Sequence, residues 1–128
     1  MFEATARLQI RDGELDGFKQ QAAEIMRQTE AKDTKPLRYD WFLSDDGTEC
    51  ELREAFVDAD AFLDHQHHIR EAKAKLLRDF TEGHTMTFYG EPSPALFETL
   101  QAMAVKARRF SFFQGLEADI KVLDEVPA

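Results

Sequence analysis

The order in which strand-like and helix-like hydrophobic periods follow one another restricts the possible folds of this chain more than any other feature. Residues 2–10, FEATARLQI, alternate apolar and polar side chains, as expected for a strand with one buried face. After Arg-Asp-Gly, apolar side chains recur at intervals of three and four, which predicts an amphipathic helix from about Glu14 to Glu30. Its buried stripe comprises Leu15, Phe18, Ala22, Ile25 and Thr29.

The middle of the chain predicts a hairpin followed by a second long helix. The segments LRYDWFLS (37–44) and CELREAFV (50–57) read as strands, and the Asp-Gly between them suits the positive φ of a tight turn. The pattern over residues 58–80 predicts one helix, and Asp58 or Asp60 would cap its N-terminus. Its stripe comprises Phe62, His65, Ile69, Ala72, Leu76 and Phe80.

The C-terminal third predicts one more strand, a helix and a short strand. Residues 84–90 form the strand, residues 91–107 a helix that begins with Ser93 as cap and Pro94 in the first position, and residues 108–116 the short strand. The fold class is therefore α+β: a single ferredoxin-like βαββαβ domain over residues 1–128, with an extra C-terminal helix and strand. Such a sheet has its helices on one face, and a second subunit would cover the other.

Charge and composition exclude several classes of partner. The net charge of -9 opposes binding to a phosphate backbone, so nucleic acid is not expected as a partner. The N-terminus lacks the features of a signal peptide and no apolar stretch has the length of a membrane span, which predicts a soluble cytoplasmic protein without a membrane partner. Cys50 is the single cysteine and has no basic neighbour to activate it, so neither a disulfide within the chain nor thiol catalysis is predicted.

With these elements in place, YDWFLSDDG followed by EAFVDADAFLDH resembles the antibiotic biosynthesis monooxygenase family of dimeric α+β barrel proteins. The positions that carry the resemblance are Tyr39, Trp41, Glu54, Phe56, Asp58, Ala61 and His65. It implies a homodimer joined sheet to sheet and, in each subunit, a pocket between the sheet and the helix of His65. It also implies oxygen insertion into quinol-like or polyketide aromatics without metal, flavin or other cofactor. The haem-degrading relatives use an asparagine on the first strand, and this chain has none there.

His65 and Glu54 are the candidate catalytic residues. His65 lies on the apolar stripe of its helix, where a neutral imidazole can take a proton from an acidic hydroxyl, but a core histidine bonded to a carbonyl or to Glu54 fits equally well. Glu54 alternates with apolar residues, so its carboxylate must be paired or have a raised pKa. It either orients His65 or forms a salt bridge with an arginine such as Arg7 or Arg53.

Aromatic side chains supply the candidate substrate-binding surface. Tyr39 and Trp41 share one face of the second strand, where they either contact an aromatic ligand or pack in the core or a dimer interface. The full substrate-binding set is predicted as Tyr39, Trp41, Phe56, Phe62 and His68. His67 is rotated away from His65, so no metal site is predicted, and His84 is expected to be solvated.

These features support two functional hypotheses. The first is a cofactor-independent monooxygenase, or a related small-molecule enzyme, acting on an aromatic or quinol-like compound. The second is a dimeric barrel protein that binds a small hydrophobic ligand without catalysis; haem binding is a weaker third.

Overall fold

The computed structural model describes residues 1–32, 36–102 and 106–116, which form one sheet and a layer of helices. The elements in chain order are β1 (Phe2–Ile10), α1 (Leu15–Ala31), β2 (Arg38–Leu43), β3 (Glu49–Phe56), α2 (Ala59–His68), α3 (Arg70–Phe80), β4 (Thr81–Tyr89), α4 (Pro94–Ala102) and β5 (Lys106–Phe110). Within these described ranges, no helix combines the length and the apolar composition needed to cross a membrane.

The sheet has the strand order β2-β3-β1-β4-β5. β1 pairs antiparallel with both β3 and β4, β2 pairs antiparallel with β3, and β5 adds to the edge parallel to β4. The first four strands and their crossover helices are the ferredoxin-like arrangement predicted from the order of periods. The extra helix and short strand are confirmed as α4 and β5, and the crossover through α4 accounts for the parallel pairing.

The predicted turn and cap residues act as their chemistry requires. Gly47 has φ of 72° in the β2–β3 hairpin, and the Asp46 carboxylate accepts hydrogen bonds from the Thr48 amide and hydroxyl. Asp58 caps α2 by accepting from the Ala61 amide at 2.8 Å. The Ser93 hydroxyl oxygen caps α4 by accepting from the Leu96 amide at 3.2 Å.

Three predicted boundaries differ from the structure. The single helix expected over 58–80 is interrupted at Ile69, where φ is -102° and ψ is 8°. The fourth strand begins at Thr81, three residues before the predicted start, because it continues the pairing with the end of β1. The helix expected over 91–107 is described over Pro94–Ala102, and residues 103–105 lie outside the described part of the chain. β5 occupies 106–110 instead of 108–116.

The core lies between the helices and the inward face of the sheet. Its centre is an aromatic cluster, and all of the cluster's rings are buried. The cluster consists of Phe2, Phe56, Phe62 and Phe88. The opposite sheet face, termed the open face, carries charged residues such as Arg7 and Glu51 together with exposed Phe42. β2 therefore carries large apolar side chains on both of its faces.

Candidate functional site

Two titratable side chains meet inside the core at the positions predicted from the sequence. Glu54 points inward from β3 because it alternates with Leu52 and Phe56, and His65 lies on the buried stripe of α2. Their relative exposures are 3% and 0%. The distance from Glu54 Oε1 to His65 Nε2 is 3.8 Å, which is too long for a hydrogen bond. The two groups are neighbours, but the described residues give neither ring nitrogen of His65 a hydrogen-bond partner.

Aromatic rings enclose the imidazole of His65. The Tyr39 ring meets it edge-on at a centroid distance of 4.5 Å, and the Phe56 ring lies at 5.5 Å. Tyr39 pairs with Glu54 across the β2–β3 ladder, which settles that Tyr39 and Trp41 face the helices and not the open face. Phe56 also packs edge-on against Phe62, so its ring is part of the core cluster.

A small hollow of about 20 Å³ lies between the sheet and α3, and it is large enough for about one water molecule. Its polar lining comprises Tyr39, Trp41, Glu54, Gln66, Lys73 and His84. Among the described residues, the buried atoms Trp41 Nε1, Glu54 Oε1 and His84 Nε2 have no hydrogen-bond partner. Since buried polar atoms are almost always paired, this concentration of unpaired atoms marks the hollow as a functional candidate.

Burial shifts the pKa of five side chains in or beside the hollow, namely Tyr39, Glu54, His65, Lys73 and His84. Desolvation raises the pKa of Glu54 from 4.5 to about 7, and the Lys73 charge opposes that rise. Desolvation, reinforced by the charge of Lys73, lowers the pKa of His65 to about 4 and that of His84 to about 4. Burial raises the pKa of Tyr39 well above 10, with Glu54 adding to the effect. Near neutral pH both imidazoles are therefore uncharged, and the protonated and ionised forms of Glu54 are both populated.

Lys73 and His84 belong to this cluster although the sequence analysis did not select them. The expectation that His84 is solvated is wrong, because it lies inside β4 opposite Leu8 and faces the helices. Each position carried a signal: His84 alternates with Met86, and Lys73 falls on the α3 stripe beside Leu76. The Lys73 Nζ donates to Gln66 Oε1 at 2.6 Å.

A cleft of about 770 Å³ lies on the other side of Lys73 and His84. α2, α3 and α4 contribute to its walls, and the residues that line it are Phe62, Leu63, Gln66, His67, Arg70, Lys73, Ala74, Leu77, His84 and Thr99. Four of these also border the hollow, namely Gln66, Lys73, Leu77 and His84. The cleft has the size of a small-molecule site, and its floor is the boundary with the hollow.

The remaining predicted site residues divide between the cavities and the packing around them. Tyr39 and Trp41 line the hollow and Phe62 lines the cleft, whereas Phe56 and His68 line neither. The backbone carbonyl of His68 accepts from Lys32 Nζ at 2.6 Å, at the end of α2.

Two alternative interpretations of individual residues can now be compared with the geometry. Arg7 pairs with Glu51 on the open face at 3.1 Å, and Arg53 is exposed on that same face, so neither bridges to Glu54. Burial raises the pKa of the Cys50 thiol to about 11, which keeps it protonated near neutral pH. Within the described residues, no three His, Cys, Asp or Glu side chains are grouped so that they could hold a metal ion.

Comparison with known proteins gives structural matches only. No protein-family model matches the sequence, and no curated protein matches it significantly. Among solved structures, MupZ from Pseudomonas fluorescens is 20% identical with a TM-score of 0.71, and the match covers 90% of this chain and 92% of MupZ. A candidate antibiotic biosynthesis monooxygenase from Nitrosomonas europaea is 20% identical with a TM-score of 0.62, over 71% of this chain and 98% of its own.

A further solved structure named antibiotic biosynthesis monooxygenase gives a TM-score of 0.60 at 16% identity, over 73% of this chain and all of its own. The chain therefore shares the fold of these solved structures. The resemblance seen in the sequence is thereby confirmed at the level of the fold. The shorter monooxygenase structures correspond to about seven tenths of this chain, whereas the match to MupZ extends over nine tenths of it.

Proposed function

We propose that this protein is an enzyme that removes a proton from a small hydrophobic or aromatic substrate and then adds oxygen from O₂ without a bound cofactor. The observation that carries the proposal is the Glu54 carboxyl, whose pKa is raised to about 7 beside a hollow that adjoins a cleft of substrate size. A base with a pKa near the working pH combines the correct protonation state with useful basicity. The fold shared with structures named monooxygenases supports this class of reaction but is not sufficient for it.

For a substrate with an activated methylene group, the overall reaction is R₂CH₂ + O₂ → R₂C=O + H₂O. Removal of one C–H proton leaves a carbanion that transfers electrons to oxygen, and protonation gives a hydroperoxide. The hydroperoxide then loses water, which contains the second C–H hydrogen and one oxygen atom. Glu54 acts as the base, and the buried imidazole of His65 is its neighbour at 3.8 Å. Lys73 and His84 border both spaces, so in this mechanism these two side chains move aside to bring the substrate C–H group to Glu54.

The second candidate function is ligand binding without catalysis, and one observation favours it. Glu54 and His65 are almost fully enclosed, and the hollow holds only about 20 Å³. A ligand in the cleft would therefore touch Lys73 and His84 but would not reach Glu54 unless side chains moved. In that case the buried cluster would have no part in chemistry.

We also infer that the molecule is a homodimer joined through its open face. Phe42 on β2 and the stacked rings of Tyr89 and Phe110 on β4 and β5 are exposed on this face. Large aromatic side chains at both margins of an uncovered sheet face are typical of an interface.

Oxygen uptake distinguishes the two candidate functions. The protein is incubated with a panel of quinols, polyphenols and anthrone-like compounds in an oxygen electrode, and ligand binding is measured separately by thermal shift. We expect uptake with at least one compound and a loss of at least about tenfold in Glu54→Gln and in His65→Phe. Phenylalanine retains a ring between Tyr39 and Phe56, so His65→Phe removes the nitrogens and preserves the packing.

The matched control is Glu71→Gln, because Glu71 is exposed on α3 and lies outside both cavities. This variant should consume oxygen at the wild-type rate. A thermal shift without oxygen uptake across the panel would identify a binding protein. Uptake that is unaffected in both Glu54→Gln and His65→Phe would remove the buried cluster from the mechanism.

A further inference from the structure

The cleft differs in charge from the rest of the molecule. The chain has 25 acidic and 16 basic residues, yet among the described residues no Asp or Glu lines the cleft. Lys73 and Arg70 line it together with His67 and His84, while Phe62, Leu63, Ala74 and Leu77 supply an apolar wall. An apolar cleft with cations at one side matches a ligand that is apolar over most of its surface and anionic at one end.

Lys73 is the cation at the floor of the cleft, and its charge is incompletely compensated. It donates to the neutral Gln66 amide oxygen, and within the described residues it forms no ion pair with a carboxylate. Burial lowers the pKa of Lys73, and Glu54, a more distant charge across the hollow, opposes that shift. A partly buried ammonium without a paired anion is costly, and a ligand anion in the cleft would reduce that cost.

Arg70 provides a second positive charge on the same side of α3. It lies three residues before Lys73, about one helical turn away, so the two side chains share a helix face. Arg70 is exposed at the margin of the cleft and forms no ion pair among the described side chains. His84 adds a buried Nε2 atom without a hydrogen-bond partner at the floor.

We propose that the cleft selects molecules with an apolar body and one anionic oxygen group, with the anion on Lys73 and the body against Phe62 and Leu77. This proposal rests on the proposed function, because it specifies the substrate class of the same site. An ionised phenol, enol or carboxylate meets the description. For a phenol or enol, the ammonium would also favour the ionised form that reacts with oxygen.

The test uses two fluorescent probes that differ by one anionic group. 8-Anilinonaphthalene-1-sulfonate carries a sulfonate, and N-phenyl-1-naphthylamine has the same rings without it. Dissociation constants for both are measured by fluorescence titration at pH 7.5 and low salt. We expect wild-type protein to bind the anionic probe at least about tenfold more tightly than the neutral one. Lys73→Met should bring the two affinities to within about threefold, mainly by weakening the anionic probe.

Lys75→Met is the matched control, because Lys75 lies on the same helix, is exposed and lines neither cavity. This control should retain the wild-type preference. Arg70→Gln should lower the preference to a smaller extent, about threefold, since Arg70 lies at the margin. If Lys73→Met does not fold, the test is the comparison of Arg70→Gln with Lys75→Met. An equal preference for the anionic probe in those two variants would overturn the proposal.

Equal affinity of the wild-type protein for the two probes would also overturn it, as would an unchanged preference in folded Lys73→Met. These failures are distinct from failure of the proposed function. An anion preference without oxygen uptake on any compound would retain this inference and reject the enzyme. Turnover of an uncharged substrate by a protein that does not prefer the anionic probe would retain the enzyme and reject this inference.

Discussion

At the residue scale, burial favours the uncharged form of each titratable group that lines the hollow, and it lowers the pKa of Lys73 although the charge of Glu54 opposes that shift. Glu54 keeps its proton up to about pH 7, and His65 and His84 remain neutral down to about pH 4. The two kinds of group make stability depend on pH in opposite directions. As pH rises, the unfolded chain releases the Glu54 proton before the folded protein does, which lowers stability. As pH falls, the unfolded chain protonates its histidines before the folded protein does, which also lowers stability.

Glu54→Gln should therefore stabilise the fold in a pH-dependent way. The folded pKa of about 7 exceeds the ordinary 4.5, so wild-type stability falls as pH rises from 4.5 to 7, and the full penalty applies above pH 7. Glutamine cannot ionise and avoids this penalty. The variant should gain roughly 3 kcal/mol in unfolding free energy at pH 8 and almost nothing at pH 4.

Urea unfolding at several pH values measures this difference, and the histidine contributions cancel because both proteins contain them. Glu71→Gln, an exchange of the same kind on an exposed helix face, should show no comparable trend. A Glu54→Gln protein that is less stable than wild type at pH 8 would mean that the Glu54 carboxylate is well paired in the fold.

The difference between the predicted and observed cluster has a simple physical origin at this scale. Periodicity placed Glu54 and His65 inward correctly, since alternation and a helical stripe define which side of an element is buried. Lys73 and His84 were equally in phase, but their polarity suggests solvent exposure when the neighbouring elements are unknown. Only the register, which sets His84 opposite Leu8, and the packing of α3 on the sheet bring them to the hollow.

At the element scale, the sequence predicted the helical stripe but not the interruption of the helix. Ile69 is neither Pro nor Gly, so no local signal separates α2 from α3, although the stripe residues remain buried on both sides. The contacts at this junction come from a distant part of the chain. Lys32 donates to the His68 carbonyl and Gln21 donates to the Ala72 carbonyl at 2.9 Å, both from α1 and the residue that follows it.

Close packing of α1 on α3 depends on Gly17. The predicted effect of Gly17→Ala on stability is therefore opposite in sign to that of most Gly→Ala exchanges in helices. A Cβ at Gly17 would lie 2.4 Å from Cε1 of the Phe80 ring. Gly→Ala inside a helix ordinarily stabilises by about 1 kcal/mol. Here Gly17→Ala should instead destabilise by about 1 to 3 kcal/mol, because the helices must move apart or the ring must leave its site. Urea unfolding at neutral pH measures the change.

The double variant Gly17→Ala/Phe80→Leu tests the cause of that loss. If the ring contact is responsible, adding Gly17→Ala to a Phe80→Leu background should cost much less than adding it to wild type. A Gly17→Ala protein that is more stable than wild type would show that the Phe80 ring moves aside at little cost.

At the scale of the whole molecule, the two sheet faces have different roles. The inward face carries the hollow and the aromatic core, and the open face carries ion pairs in its middle and aromatic rings toward its margins. The sequence placed Tyr39 and Trp41 on one face of β2, but alternation cannot say which face meets the helices. The pairing of Tyr39 with Glu54 decides it, since Glu54 faces the helices.

The proposed homodimer makes the open face testable with one pair of matched substitutions. Phe42 lies on the open face at 49% exposure, and Phe97 on α4 is equally exposed at 48% but lies outside the sheet. We expect sedimentation velocity to show wild-type protein at twice the mass of one chain. A carboxylate at position 42 would be buried without a partner in the interface, so Phe42→Asp should weaken the dimer by at least about tenfold. Phe97→Asp should leave it unchanged. Dissociation by Phe97→Asp instead would place the interface on α4, and a wild-type monomer would reject sheet-to-sheet assembly.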